Sequence, residues 1–195
     1  MIQQYNFLLA GVGGQGIILA SNILAEVGLT AGYDVKKSEV HGMAQRGGSV
    51  NTHIRWDAAR VYSPLIGLGE VDLLLAFELA EALRYAEYLK PGGVVVVNRH
   101  IIQPITVTSG GARYPTEEDL HVVYRPVSER LYLVPGTAMA QELGNARVAN
   151  LVLLGALSTF LPVPAEMWLQ VIELRVPARH LELNRRAFLQ GRALI

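Results

Sequence analysis

The sequence predicts an α/β protein: one domain over residues 1–195, with a mostly parallel central sheet, helices on both faces and a helical C-terminal part. Three observations predict it. Tyr5-Asn6-Phe7-Leu8-Leu9-Ala10 runs into a glycine-rich turn, then a helical stretch, then a second strand-like stretch. Val94-Val95-Val96-Val97 is a continuous β-branched run, as found in strands covered on both faces of a parallel sheet. From residue 137 onward, helical patterns dominate.

Taken in order, residues 5–10 form an apolar strand that enters the turn at 11–16. Residues 17–29 carry Ile17, Leu19, Ile23, Leu24 and Val27 without a breaker and read as a helix, which Gly32 ends. Residues 33–38 follow as a second strand, a β-turn-α-β opening of Rossmann-like type. Gly42, Gly47 and Gly48 mark a loop, and residues 50–55 alternate at period two as a half-buried strand does. A turn at 56–59 leads to a short strand at 60–63, with loop from Pro64. Residues 71–77 are a buried strand. Residues 78–90 read as one helix with Leu79, Ala82, Leu83, Ala86 and Leu89 on one face, stopped by Pro91-Gly92-Gly93. Between 99 and 130 prolines and glycines break the pattern, apart from a short helix starting near 116. Residues 131–134 are a further strand. Four helices complete the chain, at 137–143 with Thr137 as cap, 150–160, 164–174 with Pro164 near the first turn, and 181–194.

Composition sets limits on function. A chain of 195 residues can bury roughly 70% of its unfolded surface, so its core needs no staples. Only 17% of residues are charged, against ~25% in ordinary soluble domains, so the surface calls for a cover such as a partner subunit. The 17 basic and 17 acidic residues cancel, which argues against nucleic acid and anionic membranes. Cysteine is absent, and with it thiolate nucleophiles, disulfides and iron–sulfur ligation. No basic leader opens the chain and no stretch reaches 18 uncharged apolar residues, as expected of a cytoplasmic protein.

Gly11-Val12-Gly13-Gly14-Gln15-Gly16 fits the pattern G-x-G-x-x-G between a strand and a helix. Such a turn brings backbone N–H groups to a helix N-terminus, where an anion is favoured. It fits a nucleotide phosphate, with Glu39 at the spacing of a ribose-binding acid, or a broader anion nest; the bland alternative is close strand–helix packing. Arg46-Gly47-Gly48 places one guanidinium in a glycine loop suited to a phosphate or carboxylate. The candidate binding residues are therefore Gly11, Gly13, Gly14, Gln15, Gly16, Arg46, Gly47 and Gly48. No catalytic residue and no metal ligand is assigned. His41 lacks triad partners in sequence, and His53 on its strand reads as structural. Glu78 and Asn98 close successive strands, where ligands sit in open α/β sheets, but a helix-start carboxylate is the plainer reading of Glu78. Arg147 at a helix start opposes the helix dipole and suggests an external anion. Arg175, Arg179, Arg185, Arg186 and Arg192 read as a solvated or subunit-contacting face.

Several islands together resemble a known family. Besides the 11–16 turn they are Ser38-Glu39-Val40-His41-Gly42-Met43-Ala44-Gln45-Arg46-Gly47-Gly48-Ser49-Val50, Tyr62-Ser63-Pro64-Leu65-Ile66, Glu78-Leu79-Ala80-Glu81-Ala82, Gly144-Asn145-Ala146-Arg147-Val148-Ala149-Asn150 and Asn184-Arg185-Arg186-Ala187-Phe188. They resemble the gamma-type component of 2-oxoacid:ferredoxin oxidoreductases, and most closely its indolepyruvate branch, whose corresponding chain is the beta subunit. The resemblance implies a subunit of an enzyme that oxidatively decarboxylates aryl 2-oxoacids with coenzyme A and ferredoxin. It implies that thiamine diphosphate, Mg and [4Fe-4S] clusters lie on a large partner subunit, that ferredoxin is met through the complex, and that this chain holds no cofactor stably and is inactive alone. The 11–16 turn and the 41–49 loop would then face the partner or border a shared coenzyme A cleft. The isolated chain could cover its charge-poor surface as a homodimer. The rival readings are an independent nucleotide- or flavin-binding oxidoreductase domain and a scaffold subunit without ligand.

Overall fold

The computed structural model describes residues 4–41, 48–103, 105–108, 110–111 and 113–195, with main chain alone at 41, 105 and 106. Six strands share one sheet: β1 (Gln4–Val12), β2 (Asp34–His41), β3 (Ser49–Asp57), β4 (Val71–Ala76), β5 (Leu89–Asn98) and β6 (Leu131–Val134). Their order is β2-β3-β1-β4-β5-β6. Neighbours from β1 to β6 are parallel, while β3 is antiparallel to both β1 and β2. The helices are α1 (Ile17–Thr30), α2 (Leu79–Arg84), α3 (Ile105–Thr108), α4 (Glu117–Tyr124), α5 (Gly136–Glu142), α6 (Ala149–Ser158), α7 (Ala165–Arg175) and α8 (Ala178–Arg192).

Both faces of the sheet are covered. Phe7, Leu9, Leu73, Leu75, Val94 and Val96 point to one face, under α1, α6, α7 and α8. Leu8, Leu74, Ala76, Val95 and Val97 point to the other, under Leu79 and Ala82 of α2 and Leu120 and Tyr124 of α4. This two-sided burial is why the central strands read as unbroken apolar runs rather than alternating ones. It also explains α6, where every residue from Asn150 to Ser158 is buried between sheet and α8.

Four expectations are corrected. The opening is not a simple β-α-β neighbour pair, because β3 inserts antiparallel between β1 and β2. No strand forms at 60–63. There the Asp57 carboxylate accepts from Ala59 N–H (2.7 Å) and Asp34 accepts from Val61 N–H (2.8 Å), so side chains take donors that a ladder would use. The helix expected over 78–90 stops at Arg84; a 3₁₀ turn follows at Ala86–Tyr88, and Leu89 pairs with Val71 as the buried start of β5. Thr137 does not cap α5. It lies inside the first turn, where its N–H is bound by the side chain of Asn98 (3.2 Å). The short helix near 116 is confirmed as α4, which opens on a capping box between Thr116 and Asp119.

Candidate functional site

The glycine turn joins β1 to α1 at the carboxyl end of the parallel strands. The chain leaves β1 towards β2 on one side and returns through β3 to β4 on the other, so the topological switch point falls beside β1. There a cleft of about 510 Å³ opens. Gly14, Gln15 and Gly16 line it from the turn, with Phe77 and Asn98 from the ends of β4 and β5. Thr137 and Gln141 of α5, His100, Arg147 and Asn150 complete it.

Each part of the turn has a distinct job. Gly11 is buried within β1, and Gly13 is held by its N–H donating to the Gly48 carbonyl (3.0 Å). Gly48 thus meets the turn, a contact the sequence did not predict. Arg46 and Gly47 lie outside the described residues. The Gln15 carboxamide is spent internally: Oε1 accepts from Val12 N–H (2.7 Å) and Nε2 donates to the Phe77 carbonyl (3.0 Å), bracing the end of β1 against that of β4. Gly16 is the N-cap of α1 at φ 78°, with no side-chain cap and no acidic residue in the first turn. A Cβ there would stand 2.6 Å from Asn150 Nδ2, and that amide itself donates to the Gly16 carbonyl (3.3 Å). The leading N–H groups of α1 therefore have no side-chain acceptor of the usual kind.

Asn98 and Glu78 act as braces. Asn98 is buried; its Nδ2 donates to the Phe77 carbonyl (3.2 Å) and Thr137 Oγ1 (2.9 Å), while Oδ1 accepts from Thr137 N–H. Glu78 is the N-cap of α2, accepting from Glu81 N–H (3.0 Å) and Ile102 N–H (3.4 Å). Burial pushes its pKa up, against backbone hydrogen bonds that lower it. Below it lies a polar network that sequence reasoning missed. Ser49 donates to Glu81, Arg84 Nε donates to Glu81 Oε1 (2.9 Å), and Asn51 donates to the Tyr85 hydroxyl (2.8 Å). It ties the start of β3 to α2.

The histidines divide. His53 is structural, as expected: its Nδ1 accepts from Ile66 N–H (3.2 Å), its ring meets Tyr88 edge-on, and burial, with Arg55 nearby, lowers its pKa. His41 closes β2 opposite Val50. His100 lines the cleft, and nothing singled it out in the sequence because only the fold brings residue 100 beside residue 15. Arg147 reaches the same cleft and a smaller adjoining one of about 200 Å³. Glu39 sits on β2, two strands from β1, and pairs with Lys37 at 2.5 Å. With strands ~4.8 Å apart, it is poorly placed to read a ribose held on the 11–16 turn.

Metal and cluster chemistry finds no donor set here. The chain has no cysteine, and no group of three metal-ligating side chains occurs among the described residues. These residues do not fit an iron–sulfur cluster. Among the described residues no helix is long and apolar enough to cross a membrane.

Fold and cleft together define a doubly wound α/β protein with a crevice at its switch point. A model of the pyruvate ferredoxin/flavodoxin oxidoreductase family matches residues 6–194. The chain belongs to that family. It is 40% identical to indolepyruvate oxidoreductase subunit IorB of Thermococcus kodakarensis over 97% of this chain and 95% of that one. It is also 40% identical to the IorB subunit of Pyrococcus horikoshii, over 96% of this chain and 94% of that one. The gamma subunit of a keto/oxoacid ferredoxin oxidoreductase from Geobacter sulfurreducens has the same fold, with a TM-score of 0.75 and 28% identity over 96% of this chain and 94% of that one.

Proposed function

We propose that this chain is the small subunit of an indolepyruvate-type 2-oxoacid:ferredoxin oxidoreductase. The complex would carry out coenzyme A-dependent oxidative decarboxylation, with thiamine diphosphate, Mg and [4Fe-4S] clusters on a large partner subunit. The observation that carries this reading is the 40% identity to IorB subunits over nearly the full length of both chains. The cysteine-free sequence supports a division of labour in which another chain holds the clusters. Tyr62, Leu65 and Leu68, exposed at 86%, 56% and 60% on one loop, support a partner surface. The reading is tested on the isolated chain, which should show no flavin or cluster absorbance and reduce no viologen with indolepyruvate. Turnover by the chain alone would refute it.

The site reading is part of the same proposal. The turn, through the backbone N–H groups of Gly14 and Gly16, with Gly13 fixed by its bond to Gly48, holds an anionic group of coenzyme A or an acidic side chain of the partner rather than a nicotinamide dinucleotide. Gly11, Gln15 and Gly48 shape the turn around it, and Arg46 and Gly47 belong to the same sequence island. Titration with NAD or NADP should show no binding tighter than about millimolar, roughly −4 kcal/mol. Micromolar binding lost in Glu39→Ala would instead favour an independent dinucleotide-binding domain.

A further inference from the structure

The sheet ends at β2 on one side and at β6 on the other, and the two edges differ. β2 carries Asp34, Lys36, Lys37 and Glu39, charges of the kind that keep an edge from pairing with another chain. β6 is Leu131-Tyr132-Leu133-Val134, without charge. Val95 N–H donates to the Arg130 carbonyl (2.9 Å) and Arg99 N–H to that of Val134 (2.8 Å), so the even-numbered residues of β6 turn their backbone groups to β5. By the alternation of a ladder, the N–H and C=O of Leu131 and Leu133 point out of the sheet. Among the described residues no loop or side chain bonds to them.

These four groups are self-complementary. A second β6, laid antiparallel about a two-fold axis at Tyr132, sets Leu131 opposite Leu133 of the other copy, and each such pair exchanges both N–H···O bonds. All four groups are then satisfied in each copy. The same leucines, already packed in part against the α4 side of the core, meet their counterparts on that face. The strand is short, so its ladder needs support from side chains beside it.

α4 supplies that support. Arg99, just past β5, pairs with Glu117 (3.0 Å), and Ser128, just past α4, donates to the Gly93 carbonyl of β5 (2.6 Å). α4 therefore runs antiparallel to β5 and β6, with Glu118 towards the Val134 end of the strand and Arg125 towards the Leu131 end. Clefts of about 400 and 380 Å³ lie along β6, and Glu118, His121 and Arg125 rim them as one stripe of the helix. Glu118 and Arg125 are both exposed. The axis at Tyr132 sets the acidic end of one stripe against the basic end of the other, Glu118 facing Arg125 twice over.

We propose that β6 and the outer stripe of α4 form the face on which two copies of this chain join, making one continuous sheet across both. The inference is independent of the cleft and of the chemistry assigned to the large subunit.

The experiment measures the oligomeric state of the full chain by sedimentation velocity between about 1 and 100 µM, where a monomer–dimer equilibrium is expected. Glu118→Arg and Arg125→Glu each place like charges across the axis and should weaken the dimer about tenfold, whereas the double variant exchanges the charges and should restore it. A simple structural defect in α4 would not be repaired by the second change. Tyr132→Cys reads the register. The parent has no cysteine, and the axis makes position 132 a non-hydrogen-bonded pair with itself, ~4.5 Å apart at Cα and within disulfide reach. Mild oxidation should link the Tyr132→Cys variant far faster than the Tyr62→Cys variant, whose position is exposed at 86%. A chain that stays monomeric throughout, a dimer indifferent to both charge reversals, or equal cross-linking of the two cysteine variants would overturn the inference.

Discussion

Gly16 is where the local chemistry of the turn is most sharply constrained. Its φ of 78° is costly for any residue with a Cβ, and the Asn150 amide occupies the space a Cβ would need. Gly16→Ala should destabilise the chain by at least about 1–2 kcal/mol from the backbone alone, with Asn150 displaced in addition. Urea unfolding measures this, and an unchanged midpoint would contradict the geometry. His53 gives a second residue-scale expectation. Its pKa is lowered in the folded state by burial, so below the ordinary imidazole pKa of about 6.5 the unfolded chain takes up a proton that the folded chain resists. Its contribution to stability is fully present above that pH and is lost as pH falls towards the lowered value. The fall in unfolding free energy between pH 6.5 and 5 should therefore be smaller in His53→Gln than in the parent; equal slopes would contradict this assignment.

Between elements, α6 and α8 approach each other backbone to backbone at two glycines. A Cβ on Gly191 would lie 1.9 Å from the Val152 carbonyl oxygen, and one on Gly155 would lie 2.1 Å from that of Phe188. Both obstacles are backbone, so the helices themselves must separate. Gly191→Ala should cost about 3 kcal/mol, the upper end for overpacking, seen as a lowered thermal midpoint; a loss below 1 kcal/mol would mean that α6 and α8 yield easily. Much at this scale was legible in the sequence. The valine run of β5, the glycine turn and the apolar α6 each carry their signal within a dozen residues. The insertion of β3 was not legible, because period-two alternation shows a half-buried strand but not its neighbour. The helix expected over 78–90 failed for a related reason: a continuous apolar stripe does not distinguish a helix from a short helix followed by a buried strand. The site was readable only in part. The turn itself is local, but its braces join Gln15 to Phe77, Asn98 to Thr137 and Asn150 to Gly16, over separations of 62, 39 and 134 residues.

Taken as a whole, the molecule pairs an α/β core covered on both faces with a low content of charged residues and a cleft at its switch point. It belongs to the pyruvate ferredoxin/flavodoxin oxidoreductase family and is 40% identical to IorB subunits over nearly the full length of both chains, which supports the proposal that the chemistry takes place in an assembly. On this account the small subunit contributes an anion-holding crevice and a docking surface, while thiamine and cluster chemistry belong to the large one. The direct test is to co-express the chain with a large subunit bearing the thiamine and cluster motifs, purify through a tag on the small subunit, and assay viologen reduction by indolepyruvate and coenzyme A. The account predicts that both chains are recovered together and that coenzyme A-dependent reduction requires both. Failure of the chains to co-purify, or full turnover by the large subunit alone, would contradict it.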